Sequence, residues 1–333
     1  MACTVAVLGD GAWGTAMALL LAARPSVQVR LWSAFEENHR ILRETRENQR
    51  FLPGVMLPDR VELTTQEAAA TDGADLWITA IPTIHLRSTI RRFAAFATPQ
   101  TAVLSLTKGI EAETFLRPSE ILSEILGTDR LAVLSGPSHA EEVARGMPTS
   151  VAVSAQEAGL AEWIQSLLSS ERFRIYTNSD RIGVELAGAL KNVIGIAAGI
   201  SDGLGYGDNA KSALLTRGLT EMTRFSTHYG AQSETFHGLA GMGDLITTCF
   251  SRHGRNRWLG EQLGRGLSLD AILASTRLAV EGVNTCRSVH DRCRNDGLEM
   301  PITSEVYRVL FEGKTPRQAV TDLMHRLPRA EQI

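Results

Sequence analysis

The sequence predicts an α/β domain on a mostly parallel sheet, followed by an all-α domain. Three observations carry this. Short apolar strand-like runs alternate with helical segments from residue 4 to about 154. A glycine-rich turn follows the first of those runs directly. Beyond about residue 180 the strand signal stops and only helical spacing remains. Strands separated by helices imply crossover connections, hence parallel pairing.

Residues 4–8 form the first strand-like run, and 14–23 read as a helix. Residues 28–32 are a second strand, and 36–47 a charged helix. Residues 76–81 are a buried strand stopped by Pro82, followed by a helix over 86–96. A strand at 102–106, a helix at 119–126 and strands at 131–134 and 150–154 complete the first part. The second part offers helices over 181–200, 210–229, 256–263, 283–295, 303–311 and 316–325. We place the boundary at 180/181, giving domains 1–180 and 181–333. Domain junctions commonly hold the active site.

Composition narrows the function classes. The 333 residues carry 34 Lys+Arg against 37 Asp+Glu, a formal charge of −3, which argues against a nucleic-acid binder or an anionic-surface binder. Hydrophobic residues make up 44%, enough to build a core. Cys3, Cys249, Cys286 and Cys293 show no metal-ligand spacing, so no metal is expected and idle thiols in a reducing cytosol suffice. The apolar run at 16–23 is too short to span a bilayer, and no basic n-region precedes it. A soluble cytoplasmic protein without a membrane span is expected.

Gly9, Gly11 and Gly14 form G-x-G-x-x-G between a strand and a helix, the context a Rossmann-type dinucleotide site requires. Gly9 allows the turn, Gly11 admits the pyrophosphate, and Gly14 lets helix and strand pack closely. An NAD-type site usually places Asp or Glu at the end of the second strand. Here that strand runs into Trp32, Ser33 and Ala34, with Glu36 late and no Arg to hold a 2′-phosphate. Both NAD and NADP are therefore expected to serve, with a preference below about a hundredfold.

Two other motifs fail. Gly313-Lys314-Thr315 lacks the first glycine of a P-loop, which would stand at Arg308, and the run from Gly136 to Ala140 lacks the last glycine of a nucleophile elbow. Ser138 and Glu141 instead read as a capping box. Lys191 and Asn192 lie in an otherwise apolar helix, with Gly188 and Gly195 leaving a notch beside the lysine. Such a lysine is kept for chemistry, with something occupying the notch, or it sits at the edge of a glycine-packed helix pair.

Five ordered blocks, 9–15, 105–111, 135–142, 190–200 and 238–249 with the following 254–257, resemble the bacterial-type NAD(P)-dependent glycerol-3-phosphate dehydrogenase family. The resemblance implies the two-domain plan of 6-phosphogluconate-dehydrogenase-like proteins. It implies reversible hydride transfer between NAD(P)H and dihydroxyacetone phosphate, giving sn-glycerol 3-phosphate for glycerophospholipid synthesis. Lys191 would be the general acid/base, with Lys108 touching substrate and cofactor and Asp244 beside them. Gly136, Ser138, Asn192, Thr248, Gly254, Arg255 and Asn256 would line the substrate site, the last two holding its phosphate. Gly9, Gly11, Ala12, Trp13, Gly14, Ser33, Ala140, Arg255 and Glu281 would meet the cofactor.

The family usually has Ser at the position of Gly254, whose backbone N–H would substitute for the hydroxyl, and Ser at the position of Ala12. A homodimer is compatible with the sequence, which does not set the oligomeric state. The competing classes are a 2- or 3-hydroxy-acid dehydrogenase of the same plan and a redox-sensing NAD(P)-binding regulator without turnover.

Overall fold

The computed structural model describes residues 3–276, 279–327 and 330–331. The chain divides into two compact units, one of residues 1–107 and 118–184, the other of 108–117 and 185–333. Residues 108–117, which a division at 180/181 assigns to the first domain, thus group with the second unit. Several contacts tie them there: Arg117 pairs with the buried Glu185 at 3.1 Å, the Lys108 ammonium pairs with Asp244 at 2.8 Å, and the Lys108 carbonyl accepts a hydrogen bond from Asn192 at 3.1 Å.

In the first unit eight strands form one sheet: β1 (Cys3–Leu8), β2 (Val27–Trp32), β3 (Val61–Thr64), β4 (Leu76–Thr79), β5 (Ala102–Ser105), β6 (Leu131–Ser135), β7 (Thr149–Ala155) and β8 (Phe173–Asn178). Their order is β3-β2-β1-β4-β5-β6-β7-β8, and only the β6–β7 pair is antiparallel. Strand order reverses between β1 and β4, the switch point beside which dinucleotides bind in such sheets. Strands β1, β4, β5 and β6 are apolar almost throughout because helices cover both faces of a parallel sheet.

The sequence reading missed β3 and β8, the two edge strands. Val61 and Leu63 alternate with polar neighbours over only four residues. In β8 Phe173 and Ile175 alternate with exposed Arg174 and Tyr176. Neither offers the continuous apolar run that marked the central strands. The expected helix over 86–96 is an α-helix, Thr83–Ile90, continued as a 3-10 helix, Arg91–Phe96.

The described residues of the second unit form no strand. The 23-residue helix Arg181–Gly203 is long and apolar enough to cross a membrane, but its most apolar window is 94% buried inside the protein. It is a core helix. It crosses Arg255–Gly264 with the two backbones in contact. A Cβ on Gly199 would lie 1.9 Å from the Arg257 carbonyl, and one on Gly260 would lie 2.0 Å from the Ile196 carbonyl. Any side chain at either glycine would force the helices apart.

Candidate active site

In the first unit the glycine turn has the expected form. Gly9 sits at φ +115°, where an added Cβ would be 2.9 Å from the Ala80 carbonyl. A Cβ on Gly14 would be 1.9 Å from the Gly9 carbonyl, so the helix Ala12–Ala22 starts hard against the turn. Gly11 faces open space, and its first-turn neighbours Ala12, Trp13 and Gly14 present N–H groups without helical partners. The first turn carries no acidic side chain that would repel an anion. Trp13 Nε1 is buried without a hydrogen-bond partner among the described residues. These features fit a dinucleotide pyrophosphate.

Ser33 departs from its expected role. It is 1% exposed and its hydroxyl hydrogen-bonds Asp10, so its side chain is turned to the protein interior. The capping box is also absent. The helix Ala140–Ala144 is capped by the His139 backbone, one residue later than a box beginning at Ser138 requires. The Ser138 hydroxyl donates to the Gly136 carbonyl at 2.8 Å. Gly136 itself sits at φ +132°, with a Cβ position 3.0 Å from the Val151 Cα, so this tight turn takes up the Ser138 hydroxyl.

The second unit gathers Lys108, Lys191 and Thr248 around one carboxylate, that of Asp244. Lys191, 7% exposed on the Arg181–Gly203 helix, donates to Asp244 and, at 2.8 Å, to the Thr248 hydroxyl. Lys108 reaches the other Asp244 oxygen at 2.8 Å. Asp244 opens the helix Asp244–Phe250, directly after a π-helical turn, Leu239–Gly243. Such wide turns recur at functional sites. This one and its following helix were not foreseen, because its Gly-rich sequence reads as a loop.

A second chain of contacts runs beside the first. Asn256 donates to the Asn192 side-chain oxygen at 2.9 Å and accepts from the Gly282 N–H at 3.0 Å. The close helix crossing holds Asn256 at this place. Glu281 begins the helix Glu281–Asp296 and is half-buried.

On its Gly195 side the notch beside Lys191 is filled by protein. A Cβ on Gly195 would be 2.7 Å from the Thr248 methyl. Gly195 therefore lets Thr248 close in until its hydroxyl reaches the lysine. Gly254 also differs from expectation: its N–H donates to the Ser251 carbonyl at 3.2 Å, closing the loop before the Arg255–Gly264 helix. Arg255 is exposed, and its guanidinium donates to the Ala279 carbonyl at 2.8 Å. Its neighbour Arg257 pairs with Asp202 and Glu261 and serves structure.

The electrostatics follow from burial and this sharing. Burial lowers the Lys191 ammonium from 10.5 to about 8; Asp244 opposes the shift and the charge of Lys108 adds to it. Burial alone would raise the Asp244 carboxyl, but the two ammonium groups outweigh it and hold the carboxyl below its ordinary value. Cys249, next to Thr248 in the chain, is pushed up to about 12 by burial, so its thiol stays protonated.

The fold and the glycine turn define a dinucleotide-dependent oxidoreductase. Comparison with known proteins agrees. The model of the NAD-dependent glycerol-3-phosphate dehydrogenase N-terminus matches residues 4–161, and that of the C-terminus matches residues 180–321. A glycerol-3-phosphate dehydrogenase (NAD(P)+) of Chlorobium limicola is 48% identical over 98% of this chain and 99% of its own length. One from Moorella thermoacetica is 46% identical over 99% of this chain and 98% of its own. The crystal structure of glycerol-3-phosphate dehydrogenase from Coxiella burnetii superposes with a TM-score of 0.93 at 38% identity, covering 97% of this chain and 99% of that one. The chain belongs to the NAD-dependent glycerol-3-phosphate dehydrogenase family.

Proposed function

We propose that this protein interconverts dihydroxyacetone phosphate and sn-glycerol 3-phosphate with NAD(H) or NADP(H), and that Lys191 moves the proton. The observation that carries the proposal is the buried Lys191–Asp244–Lys108 cluster, in which two ammonium groups share one carboxylate. Its net positive charge suits a phosphorylated ketone whose carbonyl oxygen becomes an alkoxide during reduction.

The nicotinamide, when bound, supplies the hydride. Lys191 donates its proton to the C2 oxygen, and its lowered pKa makes that transfer easier than from an ordinary lysine. Asp244 and Thr248 fix the direction of the Lys191 ammonium, and Lys108 adds a second cation on the same carboxylate. Asn192 and Asn256 orient each other, and Arg255 at the helix start would grip the substrate phosphate together with first-turn N–H groups. Gly136 and Ser138 on the substrate, and Ala140, Trp13 and Glu281 on the cofactor, complete the assignment, which rests on the family resemblance.

In this reading the first domain, through residue 180, binds the dinucleotide and the second binds the substrate. A cytoplasmic homodimer feeding glycerophospholipid synthesis belongs to the same reading. The test is oxidation of NADH and NADPH by the purified chain with dihydroxyacetone phosphate against unphosphorylated dihydroxyacetone. Turnover with the phosphorylated ketone alone is expected; equal rates on both would refute the reading.

A further inference from the structure

The acidic residue that dinucleotide sites usually carry at the end of β2 is missing from the sequence there, but a carboxylate is present in space. Asp10, between the first two glycines of the turn, accepts hydrogen bonds from the Ser33 hydroxyl and, at 2.5 Å, from the Asn38 amide. Its backbone carbonyl accepts from Asn48 at 2.6 Å and from Thr15 at 3.3 Å. Asp10, Ser33, Asn38 and Asn48 are each no more than 3% exposed. Every one of these donors is neutral, and no Lys or Arg pairs with Asp10 among the described residues. Arginines of β2 and of the segment that follows it have other contacts: Arg30 pairs with Glu62, Arg40 with Glu44, and Arg50 stacks over Phe35 and Phe51.

We propose that Asp10 is the acidic selectivity group of the ribose site, placed in the glycine turn and linked through Ser33 to the end of β2, and that it biases the enzyme toward NADH. A buried carboxylate with only neutral partners keeps its field, because little solvent or counter-charge screens it. A 2′-hydroxyl is neutral and tolerates that field. A 2′-phosphate carries close to two negative charges and is repelled. Asp10 acts through space, since Ser33 is too buried to touch the nucleotide through its side chain. It is a specificity-determining residue and takes no part in the hydride or proton transfer.

This inference rests on the dinucleotide reading, and the experiment separates the two. The dissociation constants of NADH and NADPH are measured on the full chain by cofactor fluorescence, for the wild type, Asp10→Asn and Asp10→Ala. Competition by 5′-AMP and by 2′,5′-ADP is measured on the wild type. We expect the wild type to bind NADH and 5′-AMP more tightly than their 2′-phosphorylated counterparts. Asp10→Asn keeps acceptors for Ser33 and Asn38 and should shift the NADPH-to-NADH affinity ratio toward NADPH by about tenfold.

A purely structural role would weaken both cofactors together and leave that ratio unchanged, which would overturn the proposal. So would tighter binding of 2′,5′-ADP than of 5′-AMP by the wild type, a result available even if both variants fail to fold. A ratio that moves with Arg50→Ala and stays fixed with Asp10→Asn would assign selectivity to that loop instead. Failure to bind any of the four nucleotides would refute the dinucleotide reading itself.

Discussion

Replacing Lys191 with Met tests the proton-transfer assignment most directly. The substitution keeps the unbranched apolar stem and removes the ammonium. The fold should survive it. The Lys191 pKa is lowered from 10.5 to about 8, so keeping the group protonated in the folded state costs on the order of 3 kcal/mol, which Met does not incur. Asp244 retains Lys108 as a partner at 2.8 Å, so no carboxylate is left buried alone. Thr248 loses one contact only. A positioned general acid contributes about 10²–10⁴-fold, so kcat for dihydroxyacetone phosphate reduction should fall by at least about a hundredfold. NADH binding, read by fluorescence, should stay close to that of the wild type.

The wild-type pH profile gives the matching signature. Reduction needs protonated Lys191, so its rate should decline as pH rises through about 8; oxidation needs the free amine and should rise over the same window. In Lys191→Met any residual rate should lose both limbs. A folded, NADH-binding Lys191→Met enzyme with near-normal kcat would refute the reasoning and move the search for the donor to Lys108.

Arg255→Ala should raise KM for dihydroxyacetone phosphate by about ten- to a hundredfold with little change in kcat, the size of one charge-assisted hydrogen bond at an exposed residue; an unchanged KM would remove Arg255 from the phosphate site. Gly195→Ala places a methyl 2.7 Å from the Thr248 methyl and should cost about 1–3 kcal/mol of stability while lowering kcat, with unfolding midpoint and turnover measured together. Glu221, buried on the helix Asp208–His228 against the first turn of the helix Pro301–Phe311, has its carboxyl raised from 4.5 to about 7 by burial, against hydrogen bonds from the Ile302 and Thr303 N–H groups. The folded state therefore holds that proton more tightly, and stability should fall by at most about 3 kcal/mol as pH rises from the unfolded value through about 7; Glu221→Gln should flatten that slope in urea titrations, and a slope unchanged by the substitution would reject the assignment.

What could be read in the sequence was whatever had a local cause. The glycine turn was legible because each glycine answers to a neighbour within the same βα unit, as Gly14 does to Gly9. The long C-terminal helices were legible from spacing. Edge strands β3 and β8 were not, because their apolar residues alternate with polar or exposed ones and offer no continuous apolar run. The notch beside Lys191 was legible in the sequence, which left its occupant open. Only the fold reveals that Thr248, 57 residues on, packs into it. The hydrogen bond from Ser33, at the end of β2, to Asp10, 23 residues earlier in the chain, was equally beyond a local reading.

The position of Asp244 resolves a conflict in the chemistry assigned to Lys191. An efficient acid at neutral pH must give up its proton readily, which burial promotes by penalising the ammonium. Yet burial with Lys108 as an unshielded neighbour would deprotonate Lys191 before substrate arrived. A carboxylate serving Lys191 alone would err the other way, holding the proton near the ordinary lysine value. Divided between Lys191 and Lys108, Asp244 offsets only part of the burial cost, and the balance falls at about 8. The amine is then mostly protonated at neutral pH and still within reach of release. Asp244 takes this place at the head of its helix, directly after the π-helical turn, and the contact at Gly195 brings the Thr248 hydroxyl to the same ammonium.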